Sequence, residues 1–99
     1  MSIYDQVDSA LSSRRVVSIY YDGGVRDLCP HIIGYTDDKP YATFYQVGGY
    51  SASGNQVGWK TICLENITQV GSSSVTWVTP NTYNSTGFTK QIQDRRNWV

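Results

Sequence analysis

The apolar residues near the start of the chain recur at the spacing of one helical face. Ile3, Val7 and Leu11 lie four residues apart, which puts their side chains on the same side of a helix. Ser2 precedes this run, and an acidic residue follows it three positions later, a pattern that resembles a capping box. We therefore predict a short amphipathic helix over about residues 3–13.

After residue 15 the hydrophobic period changes to two. Val17, Ile19 and Tyr21 alternate with Ser18 and Tyr20, as the two faces of a half-buried strand do. The Asp-Gly-Gly sequence that follows tolerates the positive φ of a tight hairpin turn. We therefore predict a strand that is followed by a hairpin turn.

Three further strands are predicted after this turn. The first covers 25–35 and contains Pro30, which donates no ladder hydrogen bond and so belongs at an edge or at a bulge. We expect the strand to bend there. The next elements are a turn at 36–40, a strand over 41–47 and a strand over 59–70.

Short strands that follow one helix are typical of a mainly β fold. We predict a small, strongly bent antiparallel barrel of about five strands with a short N-terminal helix. Ninety-nine residues make a single domain, 1–99. We expect the helix over about 3–13, the barrel over about 16–70, and a weakly ordered C-terminal extension over 71–99 that contains the fifth strand.

The charge and the aromatic content of the chain bear on its partners. Eight Lys plus Arg balance eight Asp plus Glu, so no overall attraction to a polyphosphate backbone exists and any nucleic-acid contact has to be local. Aromatic residues make up 13% of the chain. Such rings serve binding surfaces but also suit β-strands, so both interpretations stay open.

Location and redox state follow from what the sequence lacks. The N-terminal segment has no apolar run of the kind that a signal peptide needs, and no stretch approaches the ~20 apolar residues of a membrane span. We therefore expect a cytoplasmic protein without membrane contact. Cys29 and Cys63 lack CxxC spacing and are expected as free thiols, with a disulfide as the alternative.

The glycine-rich segment 46–60 invites comparison with phosphate-binding loops. A Walker loop needs its second glycine to be followed by Lys and then Ser or Thr. Gly49 and Gly54 have the required spacing, but Asn55 comes next. We predict instead a long hairpin loop between the third and fourth strands, whose glycines let it close over a ligand.

A series of motifs follows the initial helix in a recognisable order: VVSIYYDGG, Arg26, Leu28-Cys29-Pro30-His31, FYQVGGYSASG, Gly58-Trp59-Lys60 and Leu64-Glu65-Asn66-Ile67. This order resembles the WYL domain, a small Sm-like or SH3-like β-barrel usually found in bacterial transcription regulators. The resemblance covers roughly residues 3–70. It implies a regulatory, non-catalytic barrel, bacterial or phage, that senses a nucleotide or nucleic acid.

Individual positions agree with the family to different degrees. The naming triplet Trp-Tyr-Leu falls on Tyr45-Gln46-Val47, where only its aromatic and aliphatic character remains. The basic residue at the start of the family's last strand corresponds to Lys60. A later arginine of the family corresponds to Asn66, which lacks the fork suited to phosphate.

Eight residues are predicted to line a ligand pocket or groove. They share aromatic faces that can stack a base, cations that can hold its charge, or hydroxyls of the closing loop. They are Arg26, His31, Tyr45, Tyr50, Ser51, Ser53, Trp59 and Lys60. The alternative is that Tyr45 and Trp59 plug the barrel while the cations are solvated.

We expect no catalytic site, no metal site and no other cofactor. Cys29 and His31 lie two residues apart on one strand, the spacing of a thiol beside an imidazole, but no third group is placed to orient His31. Arg14-Arg15 and Arg95-Arg96 are expected to be solvated ends of elements.

Two functions from different classes remain at this point. The leading one is a WYL-like ligand-binding or regulatory module whose partner is a nucleotide or a short nucleic acid. The alternative is a standalone interaction or structural barrel, such as an inhibitor of a host system. Its partner would be another protein or a second copy of the chain, bound through an aromatic edge.

Overall fold

A computed structural model describes residues 2–50, 57–83 and 92–99 of the chain. Those residues form one α-helix, one 3-10 turn and six strands of a single antiparallel sheet. The elements in chain order are α1 (Ile3–Ser13), β1 (Val17–Tyr21), β2 (Gly24–Thr36), β3 (Lys39–Gly49), β4 (Gly58–Cys63), the 3-10 turn Leu64–Asn66, β5 (Gln69–Ser72) and β6 (Asp94–Trp98). None of the described helices is long and apolar enough to cross a membrane.

The predicted helix is confirmed, and its ends have identifiable causes. The hydroxyl of Ser2 accepts a hydrogen bond from the Asp5 N–H at 3.0 Å, which satisfies an otherwise unpaired helical donor. At the other end Arg14 adopts a left-handed conformation, φ 51°, and the Arg15 N–H returns to the Ala10 carbonyl oxygen at 2.8 Å. This reversal ends the helix.

Both predicted hairpin turns are confirmed as two-residue turns. Asp22 and Gly23 have φ of 48° and 94°, and Asp37 and Asp38 have φ of 52° and 64°. Positive φ at both central residues matches the right-handed twist of the flanking strands. Asp and Gly are the residue types that tolerate this conformation.

The long strand β2 changes partner at Pro30. One edge of β2 pairs with β3. The other edge pairs with β1 up to Leu28 and with β6 from Ile32 onward. The β2–β3 register shifts between Pro30 and Ile32, so the predicted bulge is confirmed. Because proline has no N–H, it suits the gap between two partner strands.

The region predicted as one strand over 59–70 is two strands. β4 ends at Cys63, a 3-10 turn follows, and β5 then pairs with β1. Leu64 and Ile67 are both buried, and their spacing of three fits a helical turn rather than the alternation of a strand.

The sheet differs from the predicted five-stranded barrel in two respects. It has six strands, because the predicted fourth strand is divided into β4 and β5, while the strand expected in the C-terminal extension is β6, which pairs with β2. The strand order is β4-β3-β2-β1-β5, and the two end strands do not pair with each other in the described part of the chain. The described sheet is therefore open.

The main core lies between α1 and the inner face of the sheet. The inner face is defined by the side chains that point toward α1, such as Phe44 and Ile62. Its buried residues are Val7, Ala10, Leu11, Val17, Ile19, Leu28, Ile33, Ala42, Phe44, Ile62, Leu64 and Ile67. The helix thus supplies one side of a continuous core.

Candidate functional site

Alternation along the strands separates the predicted site residues. Tyr45 of β3 pairs with Trp59 of β4, while Phe44 pairs with Lys60. Because successive side chains of a strand point to opposite faces, Lys60 shares the inner face with Phe44. Tyr45 and Trp59 lie on the other side, which we call the outer face.

Three predicted residues meet on the outer face in an aromatic cluster. The cluster consists of His31, Tyr45, Trp59, Trp77 and Tyr83. The His31 ring centroid lies 4.7 Å from that of Trp77, 5.0 Å from that of Tyr83 and 5.1 Å from that of Trp59. Trp59 also contacts Tyr45 at 5.1 Å and Tyr83 at 5.5 Å. Residues 77–83, which we call the strap, therefore cover the outer face.

A chain of hydrogen bonds joins His31 to the strap. His31 Nδ1 lies 2.8 Å from the Cys29 carbonyl oxygen; since a carbonyl only accepts, Nδ1 carries the proton and Nε2 is free to accept. The Thr79 hydroxyl lies 3.0 Å from Nε2 and donates to it. Thr79 Oγ1 in turn accepts from Trp77 Nε1 at 2.9 Å. Every polar atom of this relay is satisfied when the imidazole is neutral.

Burial keeps His31 in that neutral form. The side chain has no solvent exposure, and desolvation lowers the pKa of His31 despite the hydrogen bond to Cys29. Burying an ion costs several kcal/mol, whereas contact of a cation with aromatic faces contributes about 0.5–2 kcal/mol. The burial cost exceeds the aromatic contribution.

Cys29 and His31 do not form a nucleophile pair in this arrangement. The imidazole donates to the backbone carbonyl of Cys29, and the thiol sulfur accepts from the Val78 N–H. Burial raises the pKa of the Cys29 thiol. Both shifts oppose a thiolate beside an imidazolium. Cys29 and Cys63 are free thiols.

Arg26 and Tyr50 lie together, apart from the aromatic cluster. The Arg26 side chain is buried, and its guanidinium carbon sits 5.1 Å from the Tyr21 ring centroid and 5.7 Å from that of Tyr50. Its Nε donates to the Tyr21 carbonyl oxygen at 3.2 Å, and Nη1 donates to Gln46 Oε1 at 3.4 Å. These contacts hold Arg26 within the fold. Ser51 and Ser53 lie outside the described residues.

A groove that the sequence pattern did not indicate opens beside α1. We call it the α1–β5 groove; its volume is about 430 Å³. It is lined by Gln6, Ser9, Ala10, Arg14, Arg15, Val16, Val17, Val70, Gly71, Ser72, Ser73, Val75 and Trp77. The lining joins two arginines and several serines to an apolar wall.

The groove carries positive charge without a carboxylate among its lining residues. Arg14 and Arg15 are both exposed, and Arg15 Nη2 donates to the Ser9 hydroxyl at 3.4 Å. An ion pair joins Arg96 and Asp94 at 2.8 Å, remote in sequence from the groove. Guanidinium groups beside an apolar wall can bind a small organic anion.

Trp77 belongs to both the groove and the aromatic cluster. Trp77 is a lining residue of the groove, and its ring packs on His31. After β5 the Ser73 N–H donates to the Val16 carbonyl oxygen, and the chain then crosses to the outer face. Trp77 reaches His31 there, where β2 has a gap between its two partner strands. Neither the groove nor this role of Trp77 has a periodic sequence signal; the pair of adjacent arginines after a helix is the one available hint.

Comparison of the chain with protein-family models, with curated proteins and with solved structures finds no match.

Proposed function

We propose that this protein is a non-catalytic, WYL-like regulatory module that senses a nucleotide or a nucleic-acid-like ligand in the α1–β5 groove. The observation that carries the proposal is the combination of Arg14, Arg15 and Trp77 around one groove of about 430 Å³. This volume falls in the range of about 300–1,000 Å³ that is typical of small-molecule sites.

The chemistry of the lining suits a phosphate joined to a planar ring. The arginine guanidinium presents parallel donors that match phosphate oxygens. The Trp77 indole donates its Nε1–H to Thr79, so its polar atom is already satisfied and its carbon surface is what remains for a ligand. An aromatic surface of this kind stacks bases.

We also propose that the fold is a small Sm-like or SH3-like barrel. Because β5 pairs with β1, the chain returns from the end of the sheet to its first strand, as a small Sm-like or SH3-like barrel requires. A cytoplasmic location, where nucleotides are abundant and thiols stay reduced, agrees with two free cysteines.

Titration with adenosine monophosphate tests the proposal directly. Isothermal titration of the protein with this nucleotide is expected to show binding that adenosine alone reproduces only weakly, because the phosphate contacts the arginines. Arg14→Gln and Arg15→Gln should each weaken binding about tenfold or more, since a hydrogen bond to a charged group contributes about 1.5–3 kcal/mol.

A matched variant controls for the loss of charge. Lys39 is exposed in the hairpin between β2 and β3 and does not line the groove. Lys39→Gln removes one positive charge and should leave binding within twofold, about the reproducibility of such titrations. Equal weakening by all three variants, or no binding of the nucleotide at millimolar concentration, would contradict the proposal.

A second candidate function rests on a different surface. Tyr20 and Val25 pair across β1 and β2 and are 46% and 53% exposed, so they present an apolar patch that can dock on a protein. Under this candidate the protein is an interaction module. Sedimentation at increasing concentration checks the homo-oligomer form: Tyr20→Ser should abolish self-association, and a concentration-independent monomer would count against that form.

A further inference from the structure

We infer that anion binding in the α1–β5 groove is coupled to the protonation of His31 through Trp77, so that acidification releases the ligand. This inference rests on the proposed function, since it concerns the regulation of the same groove. It adds regulation by pH to the proposed ligand binding.

Trp77 is the physical link between the two sites. Trp77 forms part of the groove lining together with Arg14 and Arg15. Its ring lies 4.7 Å from the His31 ring, and its Nε1–H is held by Thr79 Oγ1 at 2.9 Å. If the contacts of Thr79 and Trp77 with the imidazole change, Trp77 therefore shifts, and one wall of the groove shifts with it.

Protonation of His31 changes the direction of one hydrogen bond in the relay. His31 Nδ1 already donates to the Cys29 carbonyl oxygen, so the added proton goes to Nε2. Nε2 then donates to Thr79 Oγ1, which also accepts the indole N–H, so the Thr79 hydroxyl has to turn its own hydrogen away from the imidazole. The hydroxyl oxygen can accept both bonds, so it is the complete burial of the imidazole beneath the strap that makes a cation there unfavourable and favours opening of the strap.

The groups that face His31 from neighbouring elements do not titrate in the same range. They are the Cys29 thiol on β2 and the Tyr83 hydroxyl on the strap, and burial raises the pKa of both. Arg95 on β6 acts on Tyr83 as a fixed positive charge. Trp59 and Trp77 contact the imidazole and carry no titratable group. His31 is also the one histidine of the chain.

The inferred pH dependence is opposite to the ordinary electrostatic one. Acidification makes a protein more positive, which by itself strengthens the binding of an anion. Here affinity falls instead, because protonation of His31 disturbs the Trp77 wall of the groove. By linkage, a ligand that favours the closed wall must raise the acid dissociation constant of His31 by the same factor, which lowers its pKa.

Proton NMR of the single imidazole measures this coupling without ambiguity. The probe is 2-naphthalenesulfonate, a planar anion whose charge is constant over the pH range used. The His31 resonance is titrated from pH 4.5 to 8 with and without saturating probe. We expect the probe to lower the pKa of His31 by about 1, which corresponds to a tenfold loss of affinity on acidification.

Two variants separate the relay from general effects on folding. Thr79 does not line the groove, and Thr79→Val removes the hydroxyl while keeping the size of the side chain, so the probe is added to this variant at a saturating concentration determined at pH 8. The probe should then shift the pKa of His31 far less, because the hydroxyl between imidazole and indole is gone. His31→Gln, which cannot be protonated, should bind the probe with an affinity that is constant from pH 5.5 to 8.

The outcomes distinguish this inference from the proposed function. If the probe and adenosine monophosphate both bind at pH 8 and the pKa of His31 is unchanged by the probe, the coupling is overturned and the proposed function stands. If the probe shifts the pKa of His31 as much in Thr79→Val as in wild type, the role of the Thr79 hydroxyl in the coupling is also overturned. If neither ligand binds at pH 8, both the proposed function and the inference fail.

Discussion

Trp59 packs against residues from three separate segments of the chain. Its ring contacts His31 of β2, Tyr45 of β3 and Tyr83 of the strap. Its Nε1 donates to the Thr82 hydroxyl at 3.2 Å. A side chain with such contacts stabilises the fold, which agrees with the interpretation of Trp59 as a packing residue.

Trp59→Ala is therefore expected to lower the free energy of unfolding by about 3 kcal/mol, the lower end of the range for buried Trp or Phe. Urea denaturation measures the loss. The matched control is Trp98→Ala, because Trp98 is 47% exposed and should change stability by about 0.5 kcal/mol or less. A Trp59→Ala protein as stable as wild type would instead identify the ring as a free binding surface.

At this scale the sequence predicted the neighbours of Trp59 only in part. Trp59 and Tyr45 were predicted to line one site, and they are directly paired residues of β4 and β3. The alternation of a strand puts Lys60 on the opposite face, so a pocket lined by Trp59 and Lys60 together was not a consistent expectation for one strand. Trp77 and Tyr83 lie in a segment without periodicity, and their contacts could not be predicted locally.

Among the elements, β6 passes close to the backbone of β2 at Gly34. A Cβ atom at Gly34 would overlap the Asp94 carbonyl oxygen and lie 2.8 Å from the Arg95 Cα. Both are backbone atoms, so they cannot move aside as the end of a flexible side chain can. The absence of a side chain at Gly34 is what lets β6 pair with β2.

Gly34→Ala is expected to displace β6 and to lower the free energy of unfolding by about 1–3 kcal/mol, the usual range for overpacking. Hydrogen exchange should show faster exchange of the β6 amides. Gly71→Ala on β5 is the matched control, since its nearest contact would be the Ser18 carbonyl oxygen at an ordinary 3.9 Å. If the two variants lose the same stability and show the same exchange of the β6 amides, the close approach of β6 is not the reason that residue 34 is glycine.

The elements that the sequence predicted are those determined by neighbours in the chain. The bounds of α1 follow from its cap and periodicity, and the two hairpins follow from Asp and Gly. The break between β4 and β5 was missed because the apolar pattern continues across Leu64–Asn66. β6 has the sequence Asp-Arg-Arg-Asn-Trp and is specified by its partner β2 rather than by alternation.

For the whole molecule, equal numbers of acidic and basic residues leave no net charge. Self-repulsion is therefore small near neutral pH. A single group that titrates between pH 5 and 7 can then dominate the pH dependence of global stability. His31 is the one histidine of the chain, and its folded-state pKa is lowered by burial.

We expect the free energy of unfolding to fall as the pH drops below about 6.5, the ordinary histidine value. In the unfolded chain His31 binds a proton there, while in the folded protein it does not, so protons favour unfolding. The loss stops below the lowered folded-state pKa, and stability falls by about 1.4 kcal/mol for each pH unit that separates the unfolded and folded pKa values. Urea midpoints at pH 7.5, 6.5 and 5.5 measure it.

His31→Gln supplies the control for this prediction. The variant is expected to be less stable than wild type at pH 7.5, yet its stability should stay level between pH 7.5 and 5.5. The pKa of the exposed Asp94 is lowered by Arg96, and that group acts at more acidic pH. A decline of equal slope in both proteins would assign the pH dependence to other groups.

The division of one β2 edge between β1 and β6 has a consequence for synthesis on the ribosome. β1 and the first half of β2 are neighbours in the chain and can pair as soon as they emerge. The second half, Ile32–Tyr35, must wait for residues 94–98. At roughly 5–20 residues per second, this edge stays open for several seconds. A nascent chain that stalls before residue 94 would expose it to other strands, which makes late translation the step most sensitive to aggregation.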